Sequence, residues 1–284
     1  MFLEDAIMEY KSYMEQQEKS EKTVSGYTLD LKFFKKWLEK EWNGPVCLED
    51  LEFEDVEHFL KFLKVKRDYK PASRKRVSVA VKMFFKYAWK KRICKDDIAS
   101  QIEDIKCVQK EREYLTQEEA LSFIKEIRHP VVRIFASTLF YTGMRISEAL
   151  ALTPEDVDLR SNWILIRNGK GNKARKIPIC KKLKELLEDY VQWRVESNQF
   201  FATPKTGGIS IGRVQAIIKE TRKRLGITKQ ITAHVFRHSF ASELVKKDVN
   251  IVSISKLLGH SNLKTTSIYT HSSSEQLEEA INVL

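Results

Sequence analysis

Apolar side chains recur at helical spacing through almost the whole of the first hundred residues, and this rhythm limits the possible folds more than any other feature. Leu3, Ala6, Ile7, Tyr10 and Met14 form one stripe, and Val24, Tyr27, Leu31, Phe34 and Leu38 form a second. Val56, Phe59, Leu60 and Leu63 form a third, and Val77, Ala80, Val81, Phe84 and Ala88 a fourth, within a helix predicted over residues 73–92. Such spacing gathers each set on one side of its helix, and that side must bury against a neighbour. Four helices of this kind make an all-α domain, and their aromatic residues are core positions. No internal repeat is present.

The pattern lapses over residues 101–113, which are mostly polar, and the domain boundary is expected near Lys110. This gives a helical domain over 1–108, a linker over 109–112 and a second domain over 113–284. The second domain opens with a capping box, Thr116 with Glu119 three residues on. Residues 163–166 and 174–179 flank Asn168-Gly-Lys-Gly-Asn-Lys173, which has the composition of a hairpin loop. Thr153-Pro154-Glu155-Asp156 supplies an N-cap, a proline at the first helical position and two acids in the first turn. Helical patterns resume at 181–196, 211–225, 236–246 and 251–258, and a tail helix is predicted over 272–284. The predicted class is α+β overall: an all-α N-terminal domain followed by a mainly α catalytic domain with a small β-hairpin or sheet.

Net charge is +11, and its distribution is uneven. Residues 1–60 carry seven basic and fifteen acidic side chains, whereas residues 61–95 carry fourteen basic and the single acid Asp68. Lys75, Lys82, Lys86 and Lys90 fall opposite the apolar face of the predicted 73–92 helix. A lysine stripe along a helix can follow a phosphate backbone without reading bases, although a charge run also serves as an ordinary solvated face. The apolar runs fall far short of the roughly 20 residues needed to span a membrane. The acidic start lacks the features of a secretory signal. Cys47, Cys94, Cys107 and Cys180 are too scattered for a disulfide framework or a zinc ribbon, so a cytoplasmic location is expected.

Six residues of the second domain could form a chemical site: Arg145, Lys170, His234, Arg237, His260 and Tyr269. Four of the six histidines fall within residues 234–271. Each residue also has a plainer reading. Arg145 can pair with Glu148 along a helix, Lys170 can be a solvated loop lysine, and His260 can cap a helix after Gly259. Tyr269 can be a half-buried core residue. His234 and His238 have the i, i+4 spacing of metal ligands, but Arg237 lies between them and no HExxH glutamate accompanies them. Together the six suit a phosphodiester. Two guanidiniums clamp non-bridging oxygens, histidines share protons, a lysine protonates a departing alkoxide and a phenol acts as the nucleophile. That chemistry requires neither metal nor other cofactor.

The runs Thr142-Gly-Met-Arg145-Ile-Ser-Glu148, Gly169-Lys170-Gly-Asn-Lys173, His234-Val-Phe-Arg237-His238 and Leu258-Gly-His260, with Tyr269 nine residues on, resemble the tyrosine site-specific recombinases. The Xer-like and transposon-encoded branch is the most similar. All six family positions are filled in order, and Phe236 stands where leucine is frequent. The resemblance implies that Arg145 and Arg237 bind the scissile phosphate and that His234 and His260 assist proton transfer. It also implies that Lys170 is the general acid, with Lys173 a weaker candidate, and that Tyr269 forms a 3′-phosphotyrosine. Glu148 would orient Arg145.

The implied partners are double-stranded DNA with short core sites and further copies of the chain, in a tetrameric synapse that passes through a Holliday junction. The amphipathic tail is expected to dock on a neighbouring subunit. Resolution of cointegrates or dimers, on a plasmid or transposon, and inversion are the roles expected of a recombinase that acts at simple core sites. Arg213, Arg222, Lys223 and Arg224 are candidates for DNA contact and equally for surface charge. Three other classes compete: a type IB topoisomerase-like enzyme, a catalytically silent DNA-binding regulator, and a metallohydrolase built on His234, His238 and His260.

Overall fold

The computed structural model describes residues 1–107, 113–167 and 174–259. The predicted linker 109–112, the hairpin tip 168–173 and the tail helix 272–284 lie outside the described residues, as do Lys170, His260 and Tyr269. The chain divides into two units, Met1–Lys110 and Glu111–Leu284.

The first unit is all helical: α1 (Leu3–Gln16), α2 (Glu21–Glu41), α3 (Phe53–Val65), α4 (Pro71–Lys90) and the short α5 (Ile98–Gln101). Most of them start at a local signal. Ser20 caps α2 by accepting from the Thr23 N–H, and Pro71 supplies the first residue of α4 with its φ already set. Consequently α4 begins two residues before its predicted start. It ends before Arg92, whose φ of 58° is left-handed and incompatible with another turn. The four predicted stripes meet in one core in which Phe34, Phe59, Phe84 and Phe85 are fully buried. Asp30, a charge among apolar neighbours, pairs with Arg76 of α4. Burial raises its pKa, and the facing guanidinium works against that rise.

In the second unit, α6 (Gln117–Lys125), α7 (Pro130–Thr142) and α8 (Ile146–Leu150) come first. A 3-10 turn (Pro154–Asp156) leads into an antiparallel sheet of β1 (Val157–Asp158), β2 (Trp163–Ile166) and β3 (Arg175–Pro178), in that order. The Thr116–Glu119 capping box forms with both bonds in place, at 3.0 and 3.2 Å. The hairpin strands pair with Ile164 opposite Ile177 and Ile166 opposite Arg175. The two-residue β1 was not expected, being too short for an alternating pattern to register.

Four more helices complete the described part: α9 (Lys181–Trp193), α10 (Ile211–Arg224), α11 (Ala233–Lys246) and α12 (Ile251–Leu258). α11 starts three residues before its predicted start because Thr232 caps it, and this brings His234 into its first turn. α9 stops three residues short of its prediction. Arg194 leaves the helix, and its guanidinium bonds the Ser197, Gln199 and Phe200 carbonyls. α7 is the central member, buried on nearly every side, and packs closely against α11. Phe236 is fully buried against Phe123, so the aromatic at this position is a packing choice.

Candidate active site

Gly143 ends α7 in the left-handed conformation, with φ 62°. A Cβ there would lie 2.3 Å from Phe240 Cδ1 and 2.9 Å from Leu258 Cδ2, so only glycine fits this sharp turn. The turn delivers Arg145 to the N-cap position of α8. Its backbone N–H donates to Glu148 Oε2 at 2.7 Å, while its Nη1 donates to Glu148 Oε1, also at 2.7 Å. Its Nη2 reaches the Gly259 carbonyl at 3.2 Å. The expected partnership of Glu148 with Arg145 is thus present, and Arg145 itself remains partly exposed.

Arg237 enters from α11 and is buried at 3 % exposure. Its Nη1 donates to the Gly143 carbonyl at 2.6 Å and its Nη2 to the Leu258 carbonyl at 2.8 Å. The two arginines therefore converge on one place, bonding the adjacent carbonyls of Leu258 and Gly259. The chain continues from there directly to His260. His234, one turn before Arg237 on α11, is exposed, and its ring stands perpendicular to the buried His238 at 4.3 Å between centroids. Among the described residues, no three His, Cys, Asp or Glu side chains gather as a metal site would require.

Sequence reasoning missed Arg175. This residue, at the start of β3, donates Nη1 and Nη2 to the two oxygens of Glu148 at 3.0 and 2.8 Å, and Nε to the Leu257 carbonyl at 3.1 Å. A signal was available. Strand alternation puts Arg175 on the same face as Ile177, which is buried, and opposite to exposed Lys176. Burial raises the Glu148 carboxyl, but the Arg175 and Arg145 donors and the Arg175 charge outweigh it and hold the group at about 2.

The other predicted contact residues separate into two groups. Lys75, Lys86 and Lys90 are exposed on α4. Lys82 is instead occupied, donating to the Ile102 carbonyl at 2.8 Å and lying 3.6 Å from Asp104, so the stripe has three outward lysines where four were expected. Arg224 is also engaged, bonding the Glu126 carboxylate and carbonyl at the surface, and Arg213 and Lys223 are exposed. Among the described residues, no helix is long and apolar enough to cross a membrane.

Comparison with known proteins agrees with this geometry. Residues 113–276 match the phage integrase family, and residues 7–92 match the phage integrase N-terminal SAM-like domain. Tyrosine recombinase XerA of Pyrococcus horikoshii is 31 % identical over 282 residues, covering 98 % of this chain and 92 % of that protein. A tyrosine recombinase of Pseudothermotoga lettingae is 30 % identical over 285 residues, covering 99 % of each. Among solved structures, a lambda integrase dimer bound to a COC′ core site superposes with a TM-score of 0.79 at 20 % identity, covering 95 % of each chain. With the arginine pair and its supporting carboxylate in place, the chain belongs to the phage integrase family of tyrosine recombinases, enzymes that cleave and rejoin DNA.

Proposed function

We propose that this protein is a site-specific DNA recombinase working through a 3′-phosphotyrosine intermediate, with Arg145 and Arg237 clamping the scissile phosphate. The observation that carries the reading is the convergence of these two guanidiniums on consecutive carbonyls at the end of α12. Both are held by backbone acceptors and one carboxylate, so little reorganisation is needed when charge builds on the phosphate. In the cleavage step the Tyr269 oxygen bonds to phosphorus as the bond to the 5′-oxygen breaks. The phenol proton passes to a neighbouring base, the role proposed for His234 or His260. Lys170 supplies the proton that the 5′-oxygen gains. The reverse steps, with a 5′-hydroxyl from another strand, reseal the DNA. The covalent link conserves the energy of the broken bond, so neither metal nor nucleotide cofactor enters.

The domain assignment follows the same reading: 1–108 as a helical core DNA-binding domain, 109–112 as a linker and 113–284 as the catalytic domain. Lys75, Lys86 and Lys90 of α4 would track the phosphate backbone; similarity to DNA-bound structures, such as that of lambda integrase, supports double-stranded DNA as the partner. The exchange would run in a tetramer through a Holliday junction, acting at short core sites to resolve cointegrates or dimers in the cytoplasm. The tail would dock on a neighbouring subunit. Deleting residues 275–284 should then spare DNA binding and impair synapsis, and intact recombination by that truncation would refute the docking role.

The deciding experiment traps the covalent intermediate. A nicked suicide duplex drawn from DNA beside the coding sequence is incubated with wild type and Tyr269→Phe in EDTA, then resolved on a denaturing gel. An adduct with wild type alone is expected. Binding without any adduct would overturn the reading in favour of a silent DNA-binding protein or, if magnesium or zinc restored cleavage, of a metal-dependent enzyme. Relaxation of supercoils without strand exchange would instead identify a topoisomerase-like activity.

A further inference from the structure

Three arginines from three separate elements reach three consecutive carbonyls at the end of α12. Arg175 of β3 bonds Leu257, Arg237 of α11 bonds Leu258, and Arg145 at the α8 N-cap bonds Gly259. The proposed chemistry uses Arg145 and Arg237 but has no task for Arg175. Yet Arg175 is thoroughly constrained. Its side chain is only 12 % exposed, and it makes a two-pronged contact with the Glu148 carboxylate. Each Glu148 oxygen is shared between the two residues: Oε1 takes Nη1 of both arginines, and Oε2 takes the Arg145 N–H and Arg175 Nη2.

The slot holding the Arg175 guanidinium is closed by the backbone of Gly259. A Cβ on Gly259 would stand 2.8 Å from Cζ and Nη1 of Arg175 and 3.0 Å from its Nε. The guanidinium thus occupies the space that any other residue at 259 would claim. A planar fork with five donors matches this set of two carboxylate oxygens and one carbonyl, whereas a lysine ammonium cannot span them.

We infer that Arg175 is a positioning residue, fixing Glu148 and the end of α12 and through them the Arg145 guanidinium, without itself touching DNA. The inference rests on the reading above in which Arg145 binds the scissile phosphate. Arg145 has one carboxylate partner, and that carboxylate is oriented from its far side by Arg175. Without Arg175, Glu148 can rotate toward Arg145 or toward solvent, and the Leu257 carbonyl loses its donor. The Arg145 fork then tilts away from the place at which phosphate charge develops. Misplacement of a catalytic group by about 1 Å can cost on the order of 100-fold in rate.

The test is single-turnover covalent cleavage by the full chain on three versions of one nicked duplex. The first carries the ordinary phosphate. The second carries a 5′-bridging sulfur, whose thiolate leaves without a general acid. The third carries a methylphosphonate, which has lost the non-bridging charge that a guanidinium clamp serves. Arg175→Ala is expected to lower cleavage of the ordinary phosphate about 10- to 100-fold, with DNA affinity within about 3-fold of wild type. The bridging sulfur should not restore it, whereas the methylphosphonate should shrink the deficit. Arg175→Lys, which keeps the charge and loses the fork, should fall between wild type and Arg175→Ala.

Wild-type rates in both variants would overturn the inference. So would rescue by the bridging sulfur, which would route Arg175 through Lys170, five residues away in sequence. An equal loss on all three substrates with a collapsed thermal midpoint would reduce Arg175 to a structural residue. Absence of any wild-type adduct, or an adduct with Tyr269→Phe, would bring down the parent reading and this inference with it.

Discussion

Replacing Glu148 with glutamine removes one negative charge from a site where two guanidiniums depend on it. The carboxylate is nearly enclosed, its side chain 4 % exposed, and accepts four hydrogen bonds between 2.7 and 3.0 Å. Burial pushes its pKa up, but donors from Arg175 and Arg145 bring it from 4.5 to about 2. At 1.36 kcal/mol per pH unit, that difference corresponds to about 3 kcal/mol of stability at neutral pH. The figure agrees with the roughly 3–5 kcal/mol lost when one partner of a buried ion pair is removed. Because the folded value lies below the unfolded one, the contribution is complete above about pH 4.5 and fades as pH falls toward 2. At pH 3 somewhat under half of it should remain.

Hydrogen exchange resolved by peptide can isolate this unit within the whole chain, since the slowest amides of the buried helix α7 report its global opening. After normalisation to intrinsic exchange rates, wild type should exceed Glu148→Gln by about 3 kcal/mol at pH 7 and by about half that at pH 3. A gap below about 1 kcal/mol at pH 7, or one unchanged at pH 3, would refute the argument that the carboxylate is held ionised by its two arginines.

Gly143→Ala combines a left-handed backbone with a side-chain overlap on Phe240. It should cost about 3 kcal/mol and lower the thermal midpoint by roughly 6–12 °C in a scanning calorimeter. Thr116→Ala removes one half of the α6 capping box and should cost about 1 kcal/mol in urea unfolding. Tyr190→Phe strips a fully buried hydroxyl that donates to the Phe200 carbonyl and accepts from the Ala202 N–H. It should destabilise by about 1–3 kcal/mol, measured the same way. On DNA, replacing Lys75, Lys86 and Lys90 with alanine should flatten the slope of log affinity against log salt by about 3. Lys82→Ala, whose ammonium is already held by Ile102 and Asp104, should leave the slope unchanged. A matching drop for Lys82 would show that it leaves those partners to reach phosphate.

Most of the helices were legible because each buries one continuous stripe: Leu3 through Met14 and Val77 through Ala88 read directly as α1 and α4. Helix ends were less legible, because they depend on single residues whose effect is geometric. Pro71 moves the start of α4, Thr232 moves the start of α11, and the Arg194 side chain halts α9 through carbonyls that lie later in the chain. Asp30 was invisible for a related reason. Its partner Arg76 stands forty-six residues away, and nothing local distinguishes a buried aspartate from an exposed one. At the candidate site, Arg145, Arg237 and Glu148 stood out in the sequence because they sit in compact motifs. Arg175 sits in the basic run Lys173-Ala-Arg-Lys176, and only strand alternation picks it out from its neighbours.

What joins these arginines is a matching of surplus donors to surplus acceptors. A guanidinium carries five N–H donors, more than a single carboxylate can take up, and a helix ends with four carbonyls that lack partners within it. In α12 the N–H of Gly259 reaches the carbonyls of Ser255 and Lys256, which leaves Leu257 and Leu258 for Arg175 and Arg237. The helix end is thereby satisfied by the same groups that frame the proposed phosphate site, and its negative dipole end favours cations there. Arg145 and Arg175 together face one carboxylate, and Arg237 bonds the Gly143 and Leu258 carbonyls. The carbonyls fix the orientation of the guanidinium forks at the helix end. An anion that met these forks would gain charge-assisted bonds from groups already oriented. The arrangement therefore couples the stability of α12 to the readiness of the arginines, and a substitution that loosens one should loosen the other.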